Sequence, residues 1–195
     1  MNLNFKHIEN CKLLPNRYIV LDKMPKNSVV AEIGVLGGDF SKHILSRTNP
    51  ERLYLLDTFS ANDWESTKRF TVKNHQEFIK KEFASEIENG KVKLMKGLSW
   101  ELLETFPNKY FDWVYVDADH TYKSVKKDLD IVLHKIKDDG IIVMNDYIMY
   151  DHITNENYGV IQAVNEFCVE NNWELIYFAL HPQMFCDVVL KKISD

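Results

Sequence analysis

Short apolar runs alternate with longer amphipathic segments along almost the whole chain, and this alternation restricts the fold more than any other feature. The runs occupy residues 28–34 (SVVAEIG), 52–57 (RLYLLD), 91–97 (KVKLMKG), 111–118 (FDWVYVDA), 140–146 (GIIVMND), 174–180 (ELIYFAL) and 185–192 (FCDVVLKK). Each has the length and apolar character of a strand. Between the first five lie segments of helical spacing at 41–46, 74–88 and 122–136, the last with Val125, Leu129, Val132 and Leu133 on one face. Such alternation predicts an α/β fold: a doubly wound, mostly parallel sheet of seven strands with helices on both sides. A helix near 160–171 precedes the last two runs, which only HPQM separates. They form an antiparallel hairpin, because a parallel crossover needs about a dozen residues or more.

Composition sets the outer limits. With 195 residues, 45% hydrophobic and 27% charged, the chain suits one domain over 1–195, with a helical segment at 1–27 before a core at 28–192. The net charge of -5 is spread over mixed surfaces, and the lysine pairs at 80–81, 126–127 and 191–192 read as solvated faces. A phosphate-backbone partner is therefore not expected. Cys11, Cys168 and Cys186 lack a CxxC spacing, so neither a disulfide framework nor a thiolate metal site is expected. No run approaches 18 apolar residues and no signal-peptide pattern opens the sequence, so the expectation is a cytoplasmic protein without a membrane partner. Homo-oligomerisation stays open.

In a doubly wound sheet, ligands bind beyond the carboxyl ends of the strands, near the point where strand order reverses. Those ends read Glu32-Ile33-Gly34, Asp57-Thr58-Phe59, Gly97-Leu98-Ser99, Asp117-Ala118-Asp119-His120 and Asn145-Asp146-Tyr147. Gly34 and Gly38 permit close backbone approach to a ligand, and a helix from about Ser41 presents free N–H groups. A dinucleotide fingerprint fails, because Leu36 and Asp39 stand where glycines are needed. A P-loop fails too, since Asp39-Phe40 follows Gly37-Gly38 and an acid there would repel a pyrophosphate. What remains is a nucleoside-like ligand without phosphates, gripped by the glycine turn and by Asp57. That acid lies 23 residues after Gly34, near the spacing of roughly 20 at which a carboxylate takes ribose hydroxyls in this fold class.

At these residues the chain resembles the class I S-adenosylmethionine-dependent methyltransferases. EIGVLGGDFS is similar to their first motif, with Glu32, Gly34 and Gly38 matching its acid and two of its glycines and Leu36 replacing the central one. LLDTF resembles the second motif, whose acid binds both ribose hydroxyls, and KGLSWELL resembles the loop beside adenine. The resemblance covers roughly residues 17 to 192 and implies a cofactor set of Glu32, Gly34, Gly38, Ser41, Asp57, Thr58, Gly97, Leu98, Ser99 and Asp117. VYVDADHTYKSVKKDL, GIIVMNDY and YGVIQAVNEF resemble a narrower branch, the macrocin and mycinamicin sugar O-methyltransferases. That resemblance implies magnesium on Asp117, Asn145 and Asp146, with Asn145 where the branch has another acid. It also implies His120 as general base, and a small-molecule acceptor, a sugar or secondary metabolite.

The chemistry is consistent with these residue types. Methyl transfer from a sulfonium needs an acceptor aligned with the C–S bond and relieved of its proton, and a histidine can accept that proton near neutrality. Oxygen ligands alone favour magnesium, calcium or manganese, and a magnesium ion could bind two adjacent hydroxyls of the acceptor. Other readings stand beside these. Ser99 could be a helix N-cap, Asp119 could cap the helix starting near Thr121, and Trp100 could be core rather than an adenine neighbour. Tyr147 and Tyr150 could line a substrate pocket or simply pack. His43, His75, His134, His152 and His181 lack partner spacing and read as surface or packing residues. The function is then either O-methyl transfer or cofactor binding without catalysis; base N-methylation is disfavoured because no Asn/Asp-Pro-Pro-aromatic motif follows the fourth strand. Acceptor choice falls to residues 1–27, 60–76 and 147–158.

Overall fold

The computed structural model describes residues 1–61, 72 and 74–194. Most of the 60–76 segment expected to help choose the acceptor therefore lies outside the described residues. A 3-10 turn at Phe5–His7 leads into β1 (Lys12–Leu14) and α1 (Arg17–Lys23). The winding core follows as β2 (Val29–Ile33), α2 (Asp39–Thr48), β3 (Arg52–Asp57), α3 (His75–Glu82), α4 (Ala84–Glu88), β4 (Val92–Lys96), α5 (Ser99–Glu104), β5 (Phe111–Val116), α6 (Tyr122–Lys135) and β6 (Ile136–Met144). The chain ends with β7 (Tyr150–Asp151), β8 (Glu156–Asn157), α7 (Val160–Asn171), β9 (Trp173–Ala179) and β10 (Asp187–Lys192).

Strand order in the main sheet is β1-β9-β10-β6-β5-β2-β3-β4, with β7 and β8 paired antiparallel as a separate hairpin. Every pairing within the main sheet is parallel except those of β10, which runs antiparallel to both β6 and β9. The seven expected strands and the antiparallel pairing of the last two are present. The sequence reading missed an eighth strand: the 1–27 segment, expected as helical, holds α1 but also β1, which pairs Lys12 to Leu14 with Tyr177 to Ala179. Three residues give too short a pattern to separate from a loop.

The central strand β5 is apolar almost throughout because it is covered on both faces, as parallel strands between helix layers must be. One buried cluster lies under α5, α6 and α7 and includes Val114, Val116, Leu129 and Val164; the other lies under α1 to α4 and includes Leu21, Ile44, Ile79 and Trp113. Helix α6 shows how the local signals cooperate: Thr121 caps it by accepting from the Ser124 N–H, and Val125, Leu129 and Val132 are buried at helical spacing. Asp119 accepts from the Thr121 N–H at 2.8 Å and from the Ser124 hydroxyl at 2.8 Å, fixing the entry to the helix.

After β2 the chain steps outward through β3 to β4, then returns to place β5 and β6 on the other side of β2. Strand order thus reverses between β2 and β5, where the two strand-end loops touch. The Ile33 carbonyl accepts from the Asp117 N–H at 2.8 Å, and a Cβ on Gly34 would lie 1.8 Å from the Asp117 carbonyl oxygen. With φ at +87°, only glycine fits there.

Candidate functional site

On the β2 and β3 side the site is built from backbone. The turn after β2 runs through Leu36 at φ +44° and Gly38 at φ +75°, where α2 begins without a side-chain cap. Asp57, at the end of β3, holds this turn: one carboxylate oxygen accepts from the N–H groups of Val35 at 2.7 Å and Leu36 at 3.3 Å, and the other from Phe59 at 2.6 Å. His75, at the start of α3, closes the turn from the other side, with its Nε2 2.5 Å from the Leu36 carbonyl oxygen and Nδ1 accepting a long bond from the Ala61 N–H. Read as a packing residue in the sequence, His75 instead tethers the loop that Leu36 strains. Its partner stands 39 positions away, so no local pattern could have exposed the link.

Glu32, at the penultimate position of β2, is fully buried. Burial pushes its carboxyl up to about 8; the Ser41 hydroxyl and Arg17 oppose that rise, while Asp117 and Asp57 add to it. One Glu32 carboxyl oxygen has no hydrogen-bond partner. Thr58 shares a 2.7 Å hydrogen bond with Ser60. The Gly97 N–H donates to the Asp57 carbonyl at 3.1 Å, bringing the end of β4 against the end of β3, and Leu98 beside it is exposed. Ser99 is not an N-cap: Leu98 holds that place, and the Ser99 hydroxyl donates to the buried Asp128 of α6 at 2.6 Å. Burial, partly offset by that bond, lifts the Asp128 carboxyl to about 6. Lys127 lies 4.0 Å over the Trp100 ring.

On the β5 and β6 side the site is built from charge. His120 Nε2 lies 3.5 Å from Asp117 and 3.7 Å from Asp146, yet it is buried and makes no hydrogen bond. Burial alone would lower the His120 pKa, but Asp117, Asp146 and Asp119 outweigh it and hold it above 6.5. Burial, then Asp117, pushes Asp146 up to about 7 against the pull of His120 and Arg17. Asp146 also takes φ +53°, turning the chain away after β6.

Asn145 does not join that group. Its amide nitrogen donates to the Tyr115 hydroxyl at 3.1 Å and to Asp187 at 3.2 Å, in a buried network behind the strand ends. Tyr115 donates to Asp187 at 3.1 Å, and the Arg17 guanidinium completes the set, 3.3 Å from the Tyr115 hydroxyl and 4.8 Å over the Phe40 ring. Burial carries Asp187 up to about 8 although Arg17 opposes it. The expected magnesium set of Asp117, Asn145 and Asp146 is not assembled as a site: the Asn145 amide is bonded into the Tyr115 and Asp187 network, and among the described residues no group of three or more His, Cys, Asp or Glu could hold a metal ion. Sequence reasoning missed Arg17 and Asp187. Only Asp187 left a signal, as an acid inside an apolar strand run.

Residues 31–147, more than half of the chain, match the model of a family described as a methyltransferase domain. Among curated proteins none matches. Solved structures that share the fold include precorrin-6y C5,15-methyltransferase from Geobacter metallireducens GS-15, 15% identical, at a TM-score of 0.62 over 90% of this chain and 85% of that one. An rRNA methylase from Streptococcus thermophilus is 11% identical, at a TM-score of 0.61 over 91% of this chain and 94% of that one. The B. subtilis M1A22 tRNA methyltransferase is 13% identical, at a TM-score of 0.57 over 93% and 67%. The last two correct the expectation of no nucleic-acid partner. An rRNA methylase shares this fold over 94% of its own length, so the fold does not exclude an RNA substrate. No helix among the described residues is long and apolar enough to cross a membrane.

Proposed function

The chain belongs to the methyltransferase-domain family and is an S-adenosylmethionine-dependent methyltransferase; on that premise we propose that it methylates a hydroxyl oxygen of a small-molecule acceptor, with His120 as general base. The observation that carries this reading is the His120 Nε2, buried without a hydrogen-bond partner between the carboxylates of Asp117 and Asp146. An imidazole nitrogen so placed is ready to receive a proton, and the two acids stabilise the imidazolium that results.

The cofactor residues fit the group. The orphaned Glu32 oxygen suits a cationic amino group, and Asp57, Gly34, Gly38 and Gly97 meet at the strand ends where a nucleoside would lie. Ser41, Thr58, Leu98 and Ser99 border the same ends, although Ser99 is tied to Asp128. When bound, S-adenosylmethionine supplies a sulfonium methyl group, whose C–S electron pair stays with sulfur as a neutral thioether. The acceptor oxygen forms the new bond to carbon as its proton passes to Nε2. Asp117 and Asp146, 3.5 and 3.7 Å from that nitrogen, offset the charge it gains, and no step is assigned to a metal.

The test is transfer of labelled methyl from the cofactor to catechols and glycosides bearing adjacent hydroxyls, with tRNA and rRNA in parallel, after calorimetry has measured binding of S-adenosylhomocysteine. Labelled ether products that vanish with His120→Ala are expected. Label in RNA alone would overturn the small-molecule reading, and binding without any transfer would make the chain a cofactor-binding protein.

A further inference from the structure

We infer that Tyr158 is a positioning residue for His120, and that Asp151 in turn fixes Tyr158, so the hairpin of β7 and β8 sets the plane of the imidazole. This rests on the reading of His120 as the base. Nε2 makes no hydrogen bond, so bonding at that atom does not hold the ring. What lies against it is the Tyr158 ring, with centroids 4.4 Å apart and planes 3° from parallel.

Tyr158 stands between β8 and α7, where an unsupported ring would move freely, yet it is held at both ends. Its N–H donates to the Met149 carbonyl at 2.9 Å, and its hydroxyl donates to Asp151 at 3.1 Å. Asp151 is buried and fixed in its turn, accepting from the N–H groups of Ile153 at 2.7 Å and Thr154 at 3.1 Å and from the Thr154 hydroxyl at 2.7 Å. The next residue closes the clamp: the Gly159 N–H donates to the His120 carbonyl at 2.8 Å, and a Cβ on Gly159 would lie 2.2 Å from the Tyr122 nitrogen. Only glycine lets the chain lie so close to 120–122. An aromatic ring could pack anywhere in this wall; one tied through its hydroxyl to a pre-formed turn, and through the adjacent residue to the backbone of its stacking partner, has one position. The same hairpin exposes Met149, Tyr150 and Ile153, so an acceptor resting on it would press on the base through Tyr158.

The test uses the full chain saturated with S-adenosylhomocysteine and follows the His120 ring protons by NMR, alongside methyl transfer to the adjacent-diol acceptors. Tyr158→Leu should move those proton signals downfield as the stacked ring current is lost. It should also lower kcat about a hundredfold, the scale of a misplacement of about 1 Å, with KM for the cofactor unchanged. Tyr158→Phe, which keeps the stacked ring but loses its tie to Asp151, should recover part of both, and Asp151→Ala should likewise fall between Tyr158→Leu and the parent. Signals that stay in place in Tyr158→Leu overturn the proposal, as does undiminished turnover in that variant while His120→Ala is inactive. If Tyr158→Leu fails to fold, Asp151→Ala decides by the same signals. Should His120→Ala itself turn over normally, the base reading fails, and the proton signals alone still decide whether Tyr158 sets the ring.

Discussion

At the ends of β2 and β3 the loop itself is held by paired groups, although one Glu32 oxygen beneath it is unpaired: Asp57 takes three backbone N–H groups, and His75 meets a loop carbonyl. At the ends of β5 and β6 the central group is left open: His120 Nε2 makes no bond although Asn145 and Asp119 near it are paired, and Asp146 is pushed up to about 7 by burial and by Asp117. On the reading proposed above, the difference separates two tasks. A loop that must offer the same cradle on every cycle gains from satisfied hydrogen bonds, each worth about 1 kcal/mol net. A group that must take a proton has to keep a vacant lone pair, and the fold tolerates that only where other residues hold it.

The largest effect expected from breaking the contrast falls on the unpaired side. His120→Ala should lower turnover by about two to four orders of magnitude while calorimetric affinity for S-adenosylhomocysteine barely changes. Loss of affinity in step with turnover would show that the two sides are one structural unit, and the contrast would fail.

Buried acids on both sides of the site should also be visible in stability. Burial raises Glu32 and Asp187 to about 8 and Asp128 from 3.8 to about 6. For raised acids the folded chain keeps protons that the unfolded chain has lost, so stability falls as pH rises from the unfolded pKa through the folded one. His120, raised above 6.5, contributes in the same sense, since its stabilisation is lost as pH rises through its folded pKa. Asp128 alone corresponds to about 3 kcal/mol across its window at about 1.4 kcal/mol per unit. Thermal midpoints should therefore fall from pH 4.5 to pH 8 and fall less in Asp128→Asn, with that difference arising below about pH 6; a midpoint that climbs over the range would refute the assignment.

Much of this site was legible in the sequence because it sits at strand ends. A strand is marked by its apolar run, so the polar residue that ends it is marked too, and Glu32, Asp57, Asp117 and Asp146 stand out as candidates in that way. Where a side chain turns was not legible. Asn145 and Asp146 are adjacent at the end of one strand, yet one joins Tyr115 and Asp187 while the other faces His120. Both residues lie beyond Met144, the last of β6, and Asp146 has a positive φ, so the strand pattern does not fix where either side chain turns. Arg17 and His75 reach the site from helices whose own periodicity says nothing of it. Likewise β1 is specified by its partner β9 more than by its own three residues.

The paired side can be opened by removing its anchor. Asp57→Ala leaves the Val35, Leu36 and Phe59 N–H groups without their acceptor, and charge-assisted bonds of this kind are worth about 1.5–3 kcal/mol. Affinity for S-adenosylhomocysteine should drop about ten- to a hundredfold on that scale, while the His120 ring signals stay where they are. An unchanged affinity would mean that the loop keeps its shape without the carboxylate, and that pairing is not what preserves the cradle.

The smallest effect sharpens the comparison at its one strained residue. Leu36 holds a left-handed conformation at φ +44°, which costs an L residue about 1–2 kcal/mol and costs a β-branched residue more. The loop bears this strain because the Leu36 N–H and carbonyl are both tied, to Asp57 and His75. At an ordinary half-buried position Leu→Ile is mild and Leu→Gly is the damaging change. Here the order should reverse. Leu36→Gly loses side-chain contact and gains unfolded-state entropy but relieves the strain, so it should stay within about 1 kcal/mol of the parent. Leu36→Ile keeps the volume and deepens the strain, so its midpoint should fall by about 2–4 °C for each kcal/mol lost. Affinity for S-adenosylhomocysteine should follow neither change, since both variants keep the backbone groups that Asp57 and His75 hold. If Leu36→Ile proves the milder substitution, the left-handed turn is not what the pairing of Asp57 and His75 stabilises, and the rigidity of this side must come from the apolar packing beneath it.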